Sequence, residues 1–163
     1  MRKASLEQLF RSLNRAGSRY LVAGGLAVVA HGYARLTQDA DLVVDLDSRN
    51  AERTIEALET LGFRPTVPVS GRDFAEAARR ETWVREKGAR VLSFWSDEHP
   101  TVRVDLFLES PFDFDAAEGR ALRLELAPGV EVPFVGLGDL LAMKRAAGRP
   151  RDLDDIEKLE SLR

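Results

Sequence analysis

Helical and strand-like patterns of apolar residues alternate along most of the chain. Leu6, Leu9, Phe10 and Leu13 recur at helical spacing behind Ser5-Leu6-Glu7-Gln8, a capping-box arrangement. This predicts a first helix that starts at Ser5 and is ended by Gly17. Tyr20–Ala23 is short and apolar, as a buried strand is. Gly24 and Gly25 follow, and a helix is expected from Leu26 to Tyr33. Ala40–Val44 reads as a strand, whose period of two turns Asp39 and Asp41 to one face and Ala40 and Leu42 to the other. Asp45 shares the face of Asp41 but lies roughly 13 Å further along. It is expected to end the strand or cap the next helix. That helix starts at Asp47 or Ser48, buries Ala51, Ile55, Leu58 and Leu61, and stops at Gly62.

The pattern weakens over residues 64–100. Pro65, Pro68 and Gly71 mark a loop, and Asp73–Ala78 a short helix at most. Thr82–Arg85 and Ala89–Trp95 suggest two strands joined at Lys87-Gly88. Trp83 and Trp95 are able to stack a base, and Arg79, Arg80, Arg85 and Arg90 to touch phosphates. The favoured expectation is plainer: the aromatics cover the core and the arginines are solvated. His99, before Pro100, is expected in a loop. Alternation returns in Thr101–Leu108, with Val102, Val104, Leu106 and Leu108 on one face and Arg103, Asp105 and Phe107 on the other. Asp113 and Asp115 fall in a loop and are expected to be structural. Ala121–Leu126 and Glu131–Val135 form a hairpin around Pro128-Gly129. A helix over Leu137–Ala147 carries Leu137, Leu140, Leu141, Met143 and Ala147 as its apolar stripe, with Lys144 in the middle. A lysine so placed either snorkels to water or meets an anion in a cleft. Asp152 is expected to cap a last helix whose inner face is Leu153, Ile156 and Leu159. His31 is expected to be a packed imidazole.

Composition narrows the classes. The 163 residues suit a single domain, 1–163, with its core unit at 20–45 and its last helices at 136–163. Hydrophobic content of 44% and charged content of 31% are those of a soluble globular chain, and the cytoplasm is the expected compartment. No apolar run reaches the length of a membrane span. Cysteine is absent, which excludes disulfides and thiolate zinc sites. A net charge of −3 argues against broad non-specific nucleic-acid binding.

Two features carry chemistry. A glycine turn ahead of a helix brings free N–H groups and the helix dipole toward an anion. Paired carboxylates on one strand face repel unless a cation or a proton lies between them. Magnesium suits such a pair, because it takes oxygen ligands and keeps positions open for phosphates.

Gly24-Gly25, thirteen residues, then Asp39-Ala40-Asp41-Leu42 resembles the signature of the nucleotidyltransferase superfamily, the DNA polymerase β-like fold. The run GGLAVVAHGYARLTQDADLVV is most similar to small bacterial members, which include the AbiEii-type toxins of toxin–antitoxin systems. The resemblance implies an α/β (α+β) nucleotidyltransferase fold, a small, mixed, mainly antiparallel sheet with helices packed on it. It implies metal-dependent transfer of a nucleoside monophosphate from an NTP such as ATP to an acceptor, with Mg2+ or Mn2+ as cofactor. Asp39 and Asp41 become metal ligands and Asp105 the third, catalytic carboxylate. Gly24, Gly25, Arg35 and Lys144 become nucleotide-binding residues. Lys144…Arg149-Pro150-Arg151-Asp152 is similar to a stretch common in small members. The superfamily often has Ser as the second turn residue, whereas Gly25 offers only its backbone. A tRNA, a protein or a small molecule are all open as acceptor, and an antitoxin or a second copy as partner. The rival reading is a non-catalytic module that keeps the fold and binds NTP or a partner.

Overall fold

In the computed structural model, which describes residues 2–163, the chain runs α1 (Lys3–Arg15), β1 (Tyr20–Val22), α2 (Gly24–Ala30), β2 (Asp39–Val44), α3 (Ser48–Thr60) and β3 (Arg64–Pro65). A 3-10 turn (Gly71–Ala75) leads to α4 (Ala77–Lys87), β4 (Val91–Trp95), β5 (Arg103–Phe107) and α5 (Phe114–Gly119). The hairpin β6 (Leu122–Ala127) and β7 (Val130–Phe134) precedes α6 (Leu137–Ala147) and α7 (Pro150–Ser161). The strands form one seven-stranded sheet in the order β3-β4-β5-β2-β1-β7-β6. Only β2–β5 and β1–β7 pair in parallel, so the sheet is mixed and mainly antiparallel, as the sequence predicts. No helix among the described residues is long and apolar enough to cross a membrane.

The central strands are the apolar ones, as burial on both faces requires. Leu21, Val22, Ala40, Leu42, Val104 and Leu106 are fully buried, and α1 and α3 lay Leu9, Leu13, Ile55 and Leu58 against them. Pro65 is tolerated in β3 because that strand is an edge, where no neighbour needs its missing N–H. Asp47 caps α3 by accepting from the N–H groups of Arg49 and Asn50. Asp45 pairs with Arg19 and accepts from Asp47 N–H, the strand-end role expected of it. Asp113 caps α5 and Asp115 pairs with Arg19, so both are structural.

Four expectations are corrected. Helix α1 starts at Lys3, ahead of Ser5, whose hydroxyl lies within hydrogen-bond distance of the buried His99 instead of capping. Thr82–Arg85 is not a strand but the second half of α4. The surrounding Ala, Arg, Glu and Lys favour helix, and Gly88 at φ +60° stops it in the left-handed conformation. Leu153 is 57% exposed and not on the inner face of α7. That helix docks with Asp152, Asp155 and Leu159 inward, because basic side chains wait for the two acids. Lastly, α2 includes both glycines and ends at Ala30, short of Tyr33. His31 at its end is within 2.8 Å of the Val135 carbonyl, a packed imidazole as expected.

Candidate functional site

Strand register builds the site. In the parallel β2–β5 pair, Asp41 stands directly beside Asp105, and Asp39 beside Arg103. The antiparallel β4 adds Ser93 opposite Asp105. Because strand side chains alternate, these residues share one face of the sheet, with neighbouring strands about 4.8 Å apart. Two rows result: Ser93, Asp105 and Asp41 in one, and Arg103 and Asp39 in the next. Asp105 is 6% exposed, and Ser93 donates to its Oδ1 at 2.6 Å.

The glycine turn lies against this pair. Gly24 has φ +58°, and a Cβ there would sit 1.9 Å from Asp41 Oδ2. The Asp41 carboxylate therefore rests on the bare Cα of Gly24. At Gly25 a Cβ would come within 2.6 Å of Thr37 Oγ1 and 2.9 Å of Arg35 Nη2. The space a side chain at 25 would take is filled by that hydroxyl and guanidinium. Gly24→Ala is expected to destabilise the fold by about 2–3 kcal/mol, since it adds left-handed strain to a forced shift of Asp41. Chemical denaturation checks this, and a loss under 1 kcal/mol would contradict the contact.

A hollow of about 540 Å³ opens over the pair. Its lining includes Leu140, Met143 and Lys144 from α6, Arg149 and Asp152 at the α6–α7 turn, and Arg90 and Phe107 from the β4–β5 side. Lys144 is 5% exposed and does not snorkel. Its Nζ is 2.7 Å from Asp155 and 3.1 Å from Asp152, and Arg35 Nε is 3.0 Å from Asp155 on the other side. Arg149 closes the chain of charges at 2.7 Å from Asp152. Both Asp155 carboxylate oxygens are fully buried and lack a well-aligned hydrogen bond, so charge alone holds them. Asp152 also accepts from the Arg149 backbone N–H, the capping role expected of it. Burial raises its pKa, but the hydrogen bonds from Arg149 and Lys144 outweigh burial and hold it below the ordinary value.

Beyond Asp39 a second hollow of about 480 Å³ is lined by Gln38, Asp39, Trp95, Thr101 and Arg103. Trp95 is 39% exposed there, under the guanidinium of Arg64 at 4.5 Å. The other candidates from this region divide. Trp83 is buried in the core, and Arg80 is buried too, donating to the Phe74 carbonyl at 2.5 Å. Neither is free for a nucleotide. Arg79 and Arg85 are exposed on α4, while Arg90 reaches the first hollow.

Electrostatics set the carboxylates apart. Burial, then the charges of Asp105 and Asp39, raise the Asp41 pKa from 3.8 to about 6, against the opposing pull of Lys144 and Arg149. Burial also raises Asp105, opposed by the Ser93 hydrogen bond and by Arg103. Both are short of positive charge. The one cation in direct contact is Arg103, whose Nη2 is 3.1 Å from Asp39 and whose Nε is 3.4 Å from Asp105. No three acidic or histidine side chains among the described residues stand placed to hold one ion. The donor set itself is hard carboxylate oxygen, of the kind Mg2+ and Mn2+ take.

The sequence profile described as nucleotidyl transferase AbiEii toxin, type IV TA system, matches residues 7–162. The chain belongs to the AbiEii nucleotidyltransferase family. No curated protein matches it. Among solved structures, this AbiEii-family chain is similar to the crystal structure of the lincosamide antibiotic adenylyltransferase LnuA with lincomycin bound. The likeness has a TM-score of 0.65 at 16% identity and covers 100% of this chain and 99% of LnuA. It is a likeness of nucleotidyltransferase fold. Family and fold together indicate nucleotidyl transfer as the activity of this AbiEii member.

Proposed function

We propose that the protein transfers a nucleoside monophosphate from an NTP to a hydroxyl-bearing acceptor, with divalent metal bound at Asp39, Asp41 and Asp105. The observation that carries this is the side-by-side placement of Asp41 and Asp105, with Gly24 against Asp41, in a hollow that Lys144, Arg149 and Arg90 also line. Lys144, Arg149 and Arg90 supply the positive charge a triphosphate needs, and Phe107, Leu140 and Met143 an apolar wall for the base. Arg35 Nη2 and the Thr37 hydroxyl stand at the glycine turn, where they supplement backbone N–H groups toward phosphate oxygen. The acceptor approaches from the Trp95 side, so that the two substrates meet over the carboxylates.

In the reaction the acceptor oxygen attacks the α-phosphorus, the α–β bridging bond breaks, and pyrophosphate leaves. The acceptor proton passes to Asp105 as the general base beside the acceptor. Bound Mg2+ or Mn2+ supplies charge stabilisation for the attacking and leaving oxygens. The family description names a toxin, and an antitoxin is the partner that goes with it. LnuA is described as acting on an antibiotic, which makes small hydroxylated molecules one acceptor class to assay beside RNA and protein.

The test is label transfer from each α-labelled NTP to those three acceptor classes, with Mg2+, with Mn2+ and with EDTA. Pyrophosphate release that EDTA stops is the expected result. NTP binding with metal but no turnover on any acceptor would favour a binding module that keeps only the fold.

A further inference from the structure

The carboxylate rows contain one residue whose chemistry runs opposite to the rest. Arg103 lies between Asp39, its partner across the parallel ladder, and Asp105, two residues along its own strand. One guanidinium contacts both, with Nη2 on Asp39 Oδ2 and Nε on Asp105 Oδ1. Its side chain is 51% exposed and borders the Trp95 hollow, so it has open space to turn into. Nothing else pins it. Its only ion pairs among the described residues are with these two acids.

We propose that Arg103 is a resident counter-ion that exchanges with the divalent metal. In the metal-free protein its guanidinium bridges Asp39 and Asp105 and offsets the repulsion among the three acids. When a divalent ion takes those oxygens, the guanidinium gives them up and turns toward the Trp95 hollow. A divalent ion and the guanidinium compete for the same carboxylates and repel each other at contact distance, so ion binding and the arginine bridge oppose each other, and each weakens the other by the same factor. The inference rests on the metal reading given above, but it concerns what this chain places at the site before metal arrives.

The geometry favours exchange over a permanent structural pair. A half-exposed arginine bridge is screened by solvent and held weakly. A divalent ion carries twice the charge and binds the same hard oxygens directly. The bridge is thus strong enough to order the metal-free site and weak enough to be displaced.

The experiment is Mn2+ titration by electron paramagnetic resonance, with thermal melts of the same samples with and without Mn2+. The proteins are wild type, Arg103→Ala and Arg103→Lys. Arg103→Ala is expected to bind Mn2+ about tenfold more tightly, since a competing charge at contact distance is gone. Arg103→Lys keeps the charge but cannot span both acids as a planar fork does, and is expected to gain several-fold. In melts, Arg103→Ala should lower the melting temperature of the metal-free protein only. Equal Mn2+ affinity in wild type and Arg103→Ala would overturn the exchange while leaving the metal site standing. A melting-temperature loss as large with Mn2+ as without it would also overturn it, because the bridge would then persist in the loaded state. If no variant binds Mn2+, the metal reading itself fails and the exchange with it.

Discussion

Asp41→Asn is expected to abolish nucleotidyl transfer, by about 10³-fold or more, while making the protein more stable at neutral pH. The two effects have one cause. Asp41 holds its charge beside Asp105 and Asp39 in a half-buried position, and its pKa rises from 3.8 to about 6 through burial first and those charges second. Between those values the folded protein holds the proton more firmly than the unfolded chain does. The stability tied to that proton is fully present below pH 3.8 and is lost as pH rises through about 6. At pH 7.5 the ionised carboxylate therefore costs about 2 kcal/mol, allowing for partial exposure. Asparagine keeps the shape and never ionises. Urea unfolding at pH 4 and pH 7.5 should show wild type and variant nearly level at the lower pH and the variant ahead at the higher. A variant with full activity, or one no more stable than wild type at pH 7.5, would sink the assignment of Asp41.

Lys144→Met is expected to cost about 3–5 kcal/mol of stability and to weaken NTP binding. Methionine replaces the stem but not the ammonium, which is buried between Asp152 and Asp155. Asp155 is 0% exposed and would keep only Arg35, with its second oxygen facing nothing. A buried carboxylate that loses a partner bears the desolvation cost without the compensating attraction. Lys144→Met combined with Asp155→Asn should recover much of the loss, since the orphaned charge is removed with its partner. Urea unfolding of both single variants and the double variant closes the cycle, and NTP titration reads binding separately. A loss below 1 kcal/mol in Lys144→Met would show that the pair contributes little to docking α7.

The placement of Asp105 was legible because alternation in Thr101–Leu108 fixes its face, and because Asp39 and Asp41 share one by the same rule. The glycine turn was legible because so few backbones tolerate φ +58°. What local pattern could not carry was register between distant segments. Arg103 was correctly put on the face of Asp105, but its contact with Asp39 depends on how β5 slides along β2, which no local pattern encodes. Lys144 in an apolar stripe left water and an anion in a cleft both open; the structure buries it against Asp152 and Asp155. Its partner Asp155 is not marked by apolar spacing, and turning Asp152 and Asp155 inward puts Leu153 outward. Thr82, Trp83 and Val84 favour strand, but the longer run of helix formers around them decides the segment.

The pairing of β2 with β5 joins segments separated by α3, α4 and the β3–β4 arm. Non-local pairing of this kind slows folding, because its closure entropy comes before its contacts form. Lys144 comes later still, from α6, and its anchoring acids from α7. A nascent chain on the ribosome thus carries its glycine turn and first two acids long before their counterparts exist. On the function proposed above, synthesis order would leave the unfinished polypeptide without its full site until the last helix docks.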